Sequence, residues 1–179
     1  MKIGIYVGSF NPPHNGHKHV ADYLIEKKIV DEVWILPTPS YWDKEYEVSL
    51  EDRINMLKYY ETDKIKIDTI HNNYPYTYQV FQKLKEEEPE NDYYLIIGSD
   101  NIEKLHEWKN IEELLQNKVI VLKRDKIEKN PNLKDYEDQF IYVEDFDYVD
   151  ISSTRIRKGN RTNIEPRIKQ YIEDHHLYE

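Results

Sequence analysis

Short apolar runs alternate with amphipathic stretches along the whole chain. Runs at 2–8, 32–36, 64–68, 93–97, 118–122 and 140–143 are mostly hydrophobic at both parities, which predicts strands buried on both faces. Between them, apolar positions at helical spacing predict helices over 16–28, 49–60 and 77–88, a broken pair near 101–116, and then 152–158 and 164–174. Ser49-Leu50-Glu51-Asp52 has the capping-box spacing, with Ser49 as cap and Asp52 reaching back, and Pro89 closes the third helix. Strands alternating with helices predict an α/β fold. The expected form is a Rossmann-like, doubly wound, mostly parallel sheet with helices on both faces and a small helical C-terminal part, about 152–179. No linker or repeat interrupts the pattern, so 1–179 is expected to be a single domain. The polar stretch 125–138, which contains Pro131, reads as the least ordered. Residues 37–48 read as a long loop at the carboxyl end of a strand, where this architecture gathers substrate contacts.

Composition narrows the class. A chain of 179 residues, 39% hydrophobic and 34% charged, suits one well-buried globular domain. No apolar run approaches bilayer thickness, and Met1-Lys2 leads directly into a strand, so neither an anchor nor a signal peptide is expected. With no cysteine there are no disulfides, thiolate zinc ligands or thiol nucleophiles, which fits a cytoplasmic protein. A net charge of −10 repels nucleic acid unless a local patch overcomes it. The strongest basic cluster, Arg155-Ile156-Arg157-Lys158 with Arg161, could hold a few phosphates but hardly a duplex. No nucleic-acid or membrane partner is therefore expected, and a homo-oligomer is left open.

Three groups of residues carry candidate chemistry. The first strand runs through Gly8-Ser9-Phe10-Asn11-Pro12-Pro13 into His14-Asn15-Gly16-His17 at the start of a helix. This is the geometry of a phosphate site at the end of a parallel strand. No Gly-Lys-Ser/Thr closes it, and Gly4, Gly8 and Gly16 lack dinucleotide spacing, so the cations nearest the phosphates would be imidazoles. A bare capping pair is the plainer reading, and a zinc pair lacks a third ligand, because His71, His106, His175 and His176 are scattered. A helix terminus contributes roughly 0.3–1 kcal/mol to binding an anion. A full charge about 4 Å from a phosphate contributes about 4 kcal/mol at an effective dielectric near 20. Side-chain cations and a metal ion should therefore dominate any triphosphate site.

The second group is Asp150-Ile151-Ser152-Ser153-Thr154-Arg155-Ile156-Arg157, a hydroxyl-rich helix start with Arg157 one turn beyond Ser153 and Thr154. It reads equally well as an ordinary capped surface helix. The third is Gly98-Ser99-Asp100 after the apolar run Tyr94–Ile97. There small residues let a ligand approach the backbone and Asp100 can accept from a ribose. Trp108, just beyond, reads as core or as a stacking platform.

Together these residues resemble the nucleotidylyltransferase superfamily. Gly8–Pro12 with His14-Asn15-Gly16-His17 is similar to its first motif, (H/T)xGH, and Ile151–Arg157 to its second, ISSTxIR. Tyr76-Thr77, Ile97–Asp100, Leu105, Trp108 and the ending Lys169–Tyr178 are spaced as in nicotinate mononucleotide adenylyltransferases. The resemblance implies transfer of the adenylyl group of ATP to a pyridine mononucleotide, nicotinate mononucleotide foremost, giving a dinucleotide and pyrophosphate in NAD biosynthesis. It also implies in-line attack without a covalent intermediate, with Mg²⁺ carried on the ATP phosphates and no protein metal site. By the same resemblance His14, His17 and Arg157 are catalytic, and Gly8, Ser9, Phe10, Gly16, Gly98, Asp100, Ser153 and Thr154 hold ATP. Lys44, Tyr76, Thr77 and Trp108 would hold the acceptor, with Trp108 stacked on the pyridine ring.

The departures fall on the acceptor side. Trp42-Asp43-Lys44 stands where the family's substrate loop usually reads Pro-His-Lys, and Pro75–Val80 lacks the outer Ser and second Thr. Other acceptors, the amidated mononucleotide or phosphopantetheine, therefore stay open, as does a non-catalytic nucleotide sensor. A fragment related to class I aminoacyl-tRNA synthetases, whose HIGH motif His14–His17 echoes, is disfavoured because the acidic chain has no evident tRNA-binding part.

Overall fold

Pairing of the six expected strands follows from their apolar content at both parities, which requires cover on both sides. In the computed structural model, which describes residues 1–39, 48–124, 126–147 and 152–179, they form one sheet. The strands are β1 (Lys2–Gly8), β2 (Glu32–Pro37), β3 (Ile65–Ile67), β4 (Asp92–Gly98), β5 (Lys118–Leu122) and β6 (Phe140–Val143). Their order is β3-β2-β1-β4-β5-β6 and every pairing is parallel, so the "mostly parallel" expectation sharpens to wholly parallel among the described residues. The chain winds outward from β1 to β3, returns, and winds the other way from β4 to β6. That reversal leaves a crevice between the carboxyl ends of β1 and β4, where open α/β sheets bind ligands.

Side-chain parity sorts the strands into two cores. Ile3, Ile5, Leu95, Ile97, Val119 and Val121 pack on one face under α3 (Thr77–Glu87) and α4 (Ile111–Leu114). Ile35, Ile96, Ile120 and Leu122 pack on the other under α1 (Asn15–Glu26), which contributes Val20, Ala21 and Leu24. Burying each such side chain contributes about 1.5–3 kcal/mol.

A third core joins α2 (Leu50–Leu57), α5 (Ser153–Arg157) and α6 (Pro166–Asp174) through Met56, Ile156, Ile168 and Ile172. This is the expected helical C-terminal part, completed by α2 from the first half of the chain. Polar ties bind it to the start of α1. Asn15 N–H donates to the Asn163 carbonyl at 2.9 Å, and Tyr60 Oη donates to Asn15 Oδ1 at 2.9 Å. Ser49 caps α2, accepting from Asp52 N–H at 3.0 Å, while the Asp52 carboxylate accepts from the Ser49 hydroxyl.

Two stretches depart from the sequence pattern. The broken pair near 101–116 is a 3₁₀ helix, Ser99–Glu107, separated from α4 by Asn110 in a left-handed conformation. Within 125–138, expected to be the least ordered, Pro131–Gln139 forms 3₁₀ turns. Buried Asn130 organises them, accepting from Asn132 N–H and donating to the Ile102 carbonyl, both at 2.9 Å. Among the described residues no helix is long and apolar enough to cross a membrane.

Candidate active site

The crevice at the sheet's reversal opens into a cavity of about 350 Å³. Its walls come from β1 (Tyr6, Val7), β4 (Leu95–Gly98), the start of α1 (His14, Gly16, His17), α1's Val20, and the start of α5 with its cap, Ser152. Asp100, Asn101, Trp108, Leu122, Arg124 and Phe146 complete it. Residues such as Tyr6 and Ile96 converge because β1 and β4 are neighbours in the sheet.

The two histidines are held by a reciprocal cap. His14 is the N-cap of α1 and its Nδ1 accepts from Gly16 N–H at 3.0 Å. His17, at the third helical position, turns its Nδ1 back to accept from His14 N–H at 3.1 Å. An imidazole nitrogen that accepts carries no proton, so in both neutral rings the proton sits on Nε2. The cap thus fixes the tautomer and leaves each ring a single distal donor. The rings stack at 3.7 Å, and Phe10 closes on His17 edge-on at 4.7 Å.

Enclosure by these rings sets the charge. Burial, reinforced by the positive field of Arg124, pulls the His14 pKa down to about 4. His17 is pushed well below the ordinary value by burial, then by His14 and Arg124. The expectation that imidazoles supply the cations is therefore corrected for the ligand-free protein: at neutral pH both are uncharged donors. The cation lining the cavity among the described residues is Arg124, whose guanidinium pairs with Asp100 at 3.1 Å. Its backbone N–H donates to Ser99 Oγ at 2.9 Å, which fixes the start of the loop after β5.

The loop between β1 and α1 is clamped from several sides. Phe10 takes a left-handed φ of 49°, an uncommon conformation for a bulky residue, with its ring buried against Tyr6 and His17. Arg53, only 2% exposed, donates to the Ser9 carbonyl at 2.7 Å and the Thr38 carbonyl at 2.6 Å. Ser153 Oγ donates to the Pro12 carbonyl at 2.9 Å, and Arg157 Nη1 to the Asn11 carbonyl at 2.7 Å. Arg157 Nη2 also donates to Thr154 Oγ1 at 3.3 Å. Burial lowers the Arg53 pKa, as it must for a guanidinium away from solvent.

The structure gathers His14, Gly16, His17, Gly98, Asp100, Trp108 and Ser153 around one cavity. Gly8 ends β1, Ser9 and Phe10 follow it in the loop that leads to the histidines, and Arg157 reaches that loop from α5 while also bonding Thr154. Trp108 packs against the first core and also lines the cavity. Tyr76 and Thr77 stand at the head of α3, outside the cavity lining. There Tyr76 N–H donates to Gln79 Oε1 at 3.1 Å. Lys44 lies outside the described residues, as do Asp150 and Ile151.

Sequence reasoning missed Arg124 and Arg53. Arg124 follows β5 at its carboxyl end, a position that gains meaning once β5 is known to lie beside β4. Arg53 sits in the run Glu51-Asp52-Arg53, which reads as a solvated helix face.

Comparison with known proteins bears on the sequence and the fold. The cytidylyltransferase-like family model matches residues 5–159. A protein of Flavobacterium johnsoniae named "Probable nicotinate-nucleotide adenylyltransferase" is 32% identical over 191 residues, covering 99% of both chains. The protein of the same name from Flavobacterium psychrophilum is 34% identical over 196 residues, again covering 99% of both. The fold matches that of the nicotinic acid mononucleotide adenylyltransferase of Plasmodium falciparum complexed with NaAD. The TM-score is 0.78 at 23% identity, over 99% of this chain and 97% of that one. Two histidines capping a helix at the reversal of a parallel sheet, and sequence identity held from end to end, lead to one assignment: the chain belongs to the cytidylyltransferase-like family, among the nicotinate-nucleotide adenylyltransferases.

Proposed function

We propose that this protein transfers the adenylyl group of ATP to nicotinate mononucleotide, releasing pyrophosphate and forming the dinucleotide of NAD biosynthesis. The observation that carries the reading is the tautomer-locked pair His14 and His17, two Nε2–H donors at a cavity that also holds a guanidinium. A phosphate oxygen of the mononucleotide attacks the α-phosphorus of ATP, and the bond to the β-phosphate breaks with its electron pair leaving on pyrophosphate. Negative charge then grows on the non-bridging oxygens. Donors already aimed there need no reorganisation, which is the principal way a site without a nucleophile lowers the barrier.

Val20, Leu122 and Phe146 give the cavity apolar lining, with Leu122 paired to Gly98 across the sheet, and this suits it to adenosine. Trp108, which lines the cavity, is assigned to the pyridine ring, with Tyr76 and Thr77 at the head of α3 and Lys44 as further acceptor contacts. Ser153, Thr154 and Arg157 take the β- and γ-phosphates, Ser153 and Arg157 exchanging their bonds to the Pro12 and Asn11 carbonyls for contacts with ATP. The triphosphate's own charge raises the imidazole pKa values, so His14 and His17 strengthen as donors when ATP arrives.

Magnesium is read here as part of the nucleotide. Among the described residues no group of three His, Cys, Asp or Glu could hold a metal ion, and Asp100, the carboxylate lining the cavity, is paired with Arg124. Mg²⁺ keeps most of its water and binds readily through phosphate oxygens. Carried in that way, it would supply charge neutralisation to the departing pyrophosphate.

The test is pyrophosphate release with ATP and Mg²⁺ against nicotinate mononucleotide, nicotinamide mononucleotide and phosphopantetheine in parallel. The highest kcat/KM is expected for nicotinate mononucleotide. ATP binding without pyrophosphate release for any acceptor would mark a nucleotide sensor instead.

A further inference from the structure

Residues 175–179, which follow α6, return to the catalytic loop and insert a side chain beneath it. The return needs two left-handed residues, His176 (φ 53°) and Tyr178 (φ 59°), conformations that persist only when surrounding contacts fix them. The Tyr178 ring is packed in the core of α2, α5 and α6 and is 8% exposed. Its hydroxyl donates to Oδ1 of Asn11, itself 3% exposed. Asn11 is held at its other end as well, its carbonyl accepting from Arg157 Nη1 at 2.7 Å. Three residues later the same loop delivers His14, whose N–H fixes the His17 ring.

From this geometry we infer that Tyr178 is a positioning residue for the reaction, setting through Asn11 the placement of the two histidine donors. The inference rests on the adenylyl-transfer reading above and deepens it. Arg53 and Ser153 hold the carbonyls of Ser9 and Pro12, while Tyr178 meets the Asn11 side chain between those two points. Burial raises the Tyr178 pKa, so the hydroxyl remains a donor across the working range. The bond is made in a dry environment, where an acceptor left without its donor is costly and the loop shifts to satisfy it. A displacement of about 1 Å in a catalytic donor can lower a rate by about a hundredfold.

Tyr178→Phe tests this, because it removes one oxygen and keeps the ring in its core. The expected result is a kcat lowered about tenfold with KM for ATP and for the mononucleotide changed less than about twofold, the pattern of an interaction realised in the transition state. Long-range ¹⁵N–¹H spectra of the imidazoles, recorded without substrate, should show altered His14 and His17 signals. Wild-type kcat together with unchanged imidazole signals would overturn the inference. Should Tyr178→Phe not fold, Asn11→Ala removes the same bond from its acceptor side and is read by the same two criteria. Absence of turnover in the wild-type protein would defeat the proposed reaction alone, since the imidazole spectra report the anchor without any acceptor.

Discussion

His17 Nδ1 accepts the backbone N–H of His14 at 3.1 Å, so the residue that would face the phosphate also closes the helix cap. The two jobs fall on different atoms of one ring and can be separated by substitution. Asparagine places an oxygen near the position of Nδ1 but nothing where Nε2 stands. His17→Asn should therefore keep the fold and ATP affinity while lowering kcat by about 10²–10³, the usual loss for one donor to a developing charge. Steady-state kinetics with ATP titrated at saturating mononucleotide reads the split. Wild-type turnover in this variant would remove His17 from the chemistry.

Neutral histidines in a folded protein make acid destabilising. The unfolded chain takes up protons near pH 6.5, whereas folded His14 does so only near 4. Between these values the unfolded state binds more protons, so stability falls as pH drops from about 6.5 towards 4. The gap corresponds to about 3 kcal/mol for His14. His17, lowered in the same direction, adds to it. Asparagine is a good N-cap and does not titrate, so His14→Asn should flatten this slope while retaining the cap. Urea unfolding at a series of pH values decides it. An unchanged slope would mean that His14 is charged in the folded state.

The strands were legible because most are short, apolar at both parities and flanked by polar turns, as in Lys118–Leu122. The start of α1 was legible because its cap is built from neighbours. Strand order was not, since nothing local in β4 names β1 as its partner, and with the order went Arg124. Ser153, Thr154 and Arg157 were recognisable as a group, but their spacing is silent on the loop carbonyls that Ser153 and Arg157 hold. The charge of the histidines was misread for a related reason: it depends on rings such as Phe10 that close over them only in three dimensions.

A second histidine shows the opposite pH behaviour. His71 is 6% exposed, with Nδ1 2.7 Å from Asp68 Oδ2 and Nε2 2.7 Å from Glu87 Oε2. Carboxylates on both nitrogens require both to donate, which only the charged ring can do. Burial alone would lower its pKa, but bonds to Glu87 and Asp68 together raise it. This stabilisation is full below pH 6.5 and is lost as pH rises through the folded value. His71→Gln should cost about 2 kcal/mol at pH 6 and clearly less at pH 9, the solvent-exposed Glu87 contributing the smaller share. Equal losses at both pH values would show that the ring acts by packing alone.

Gly98 ends β4 where Asp100 and Arg124 crowd the backbone. A Cβ there would lie 2.6 Å from Asp100 Oδ1 and 3.3 Å from Arg124 Cδ, so both side chains must move. Both are substantially exposed and can swing outward without disturbing the core, so Gly98→Ala should shift Tm by no more than about 2 °C. What it removes is the placement of the carboxylate and guanidinium at the cavity. KM for ATP should rise about tenfold, equivalent to about 1.4 kcal/mol of binding, with kcat changed much less. If KM for ATP is unchanged, the Asp100–Arg124 pair is a bystander, and the adenosine end of the cavity is bounded by Leu122 and Phe146 instead.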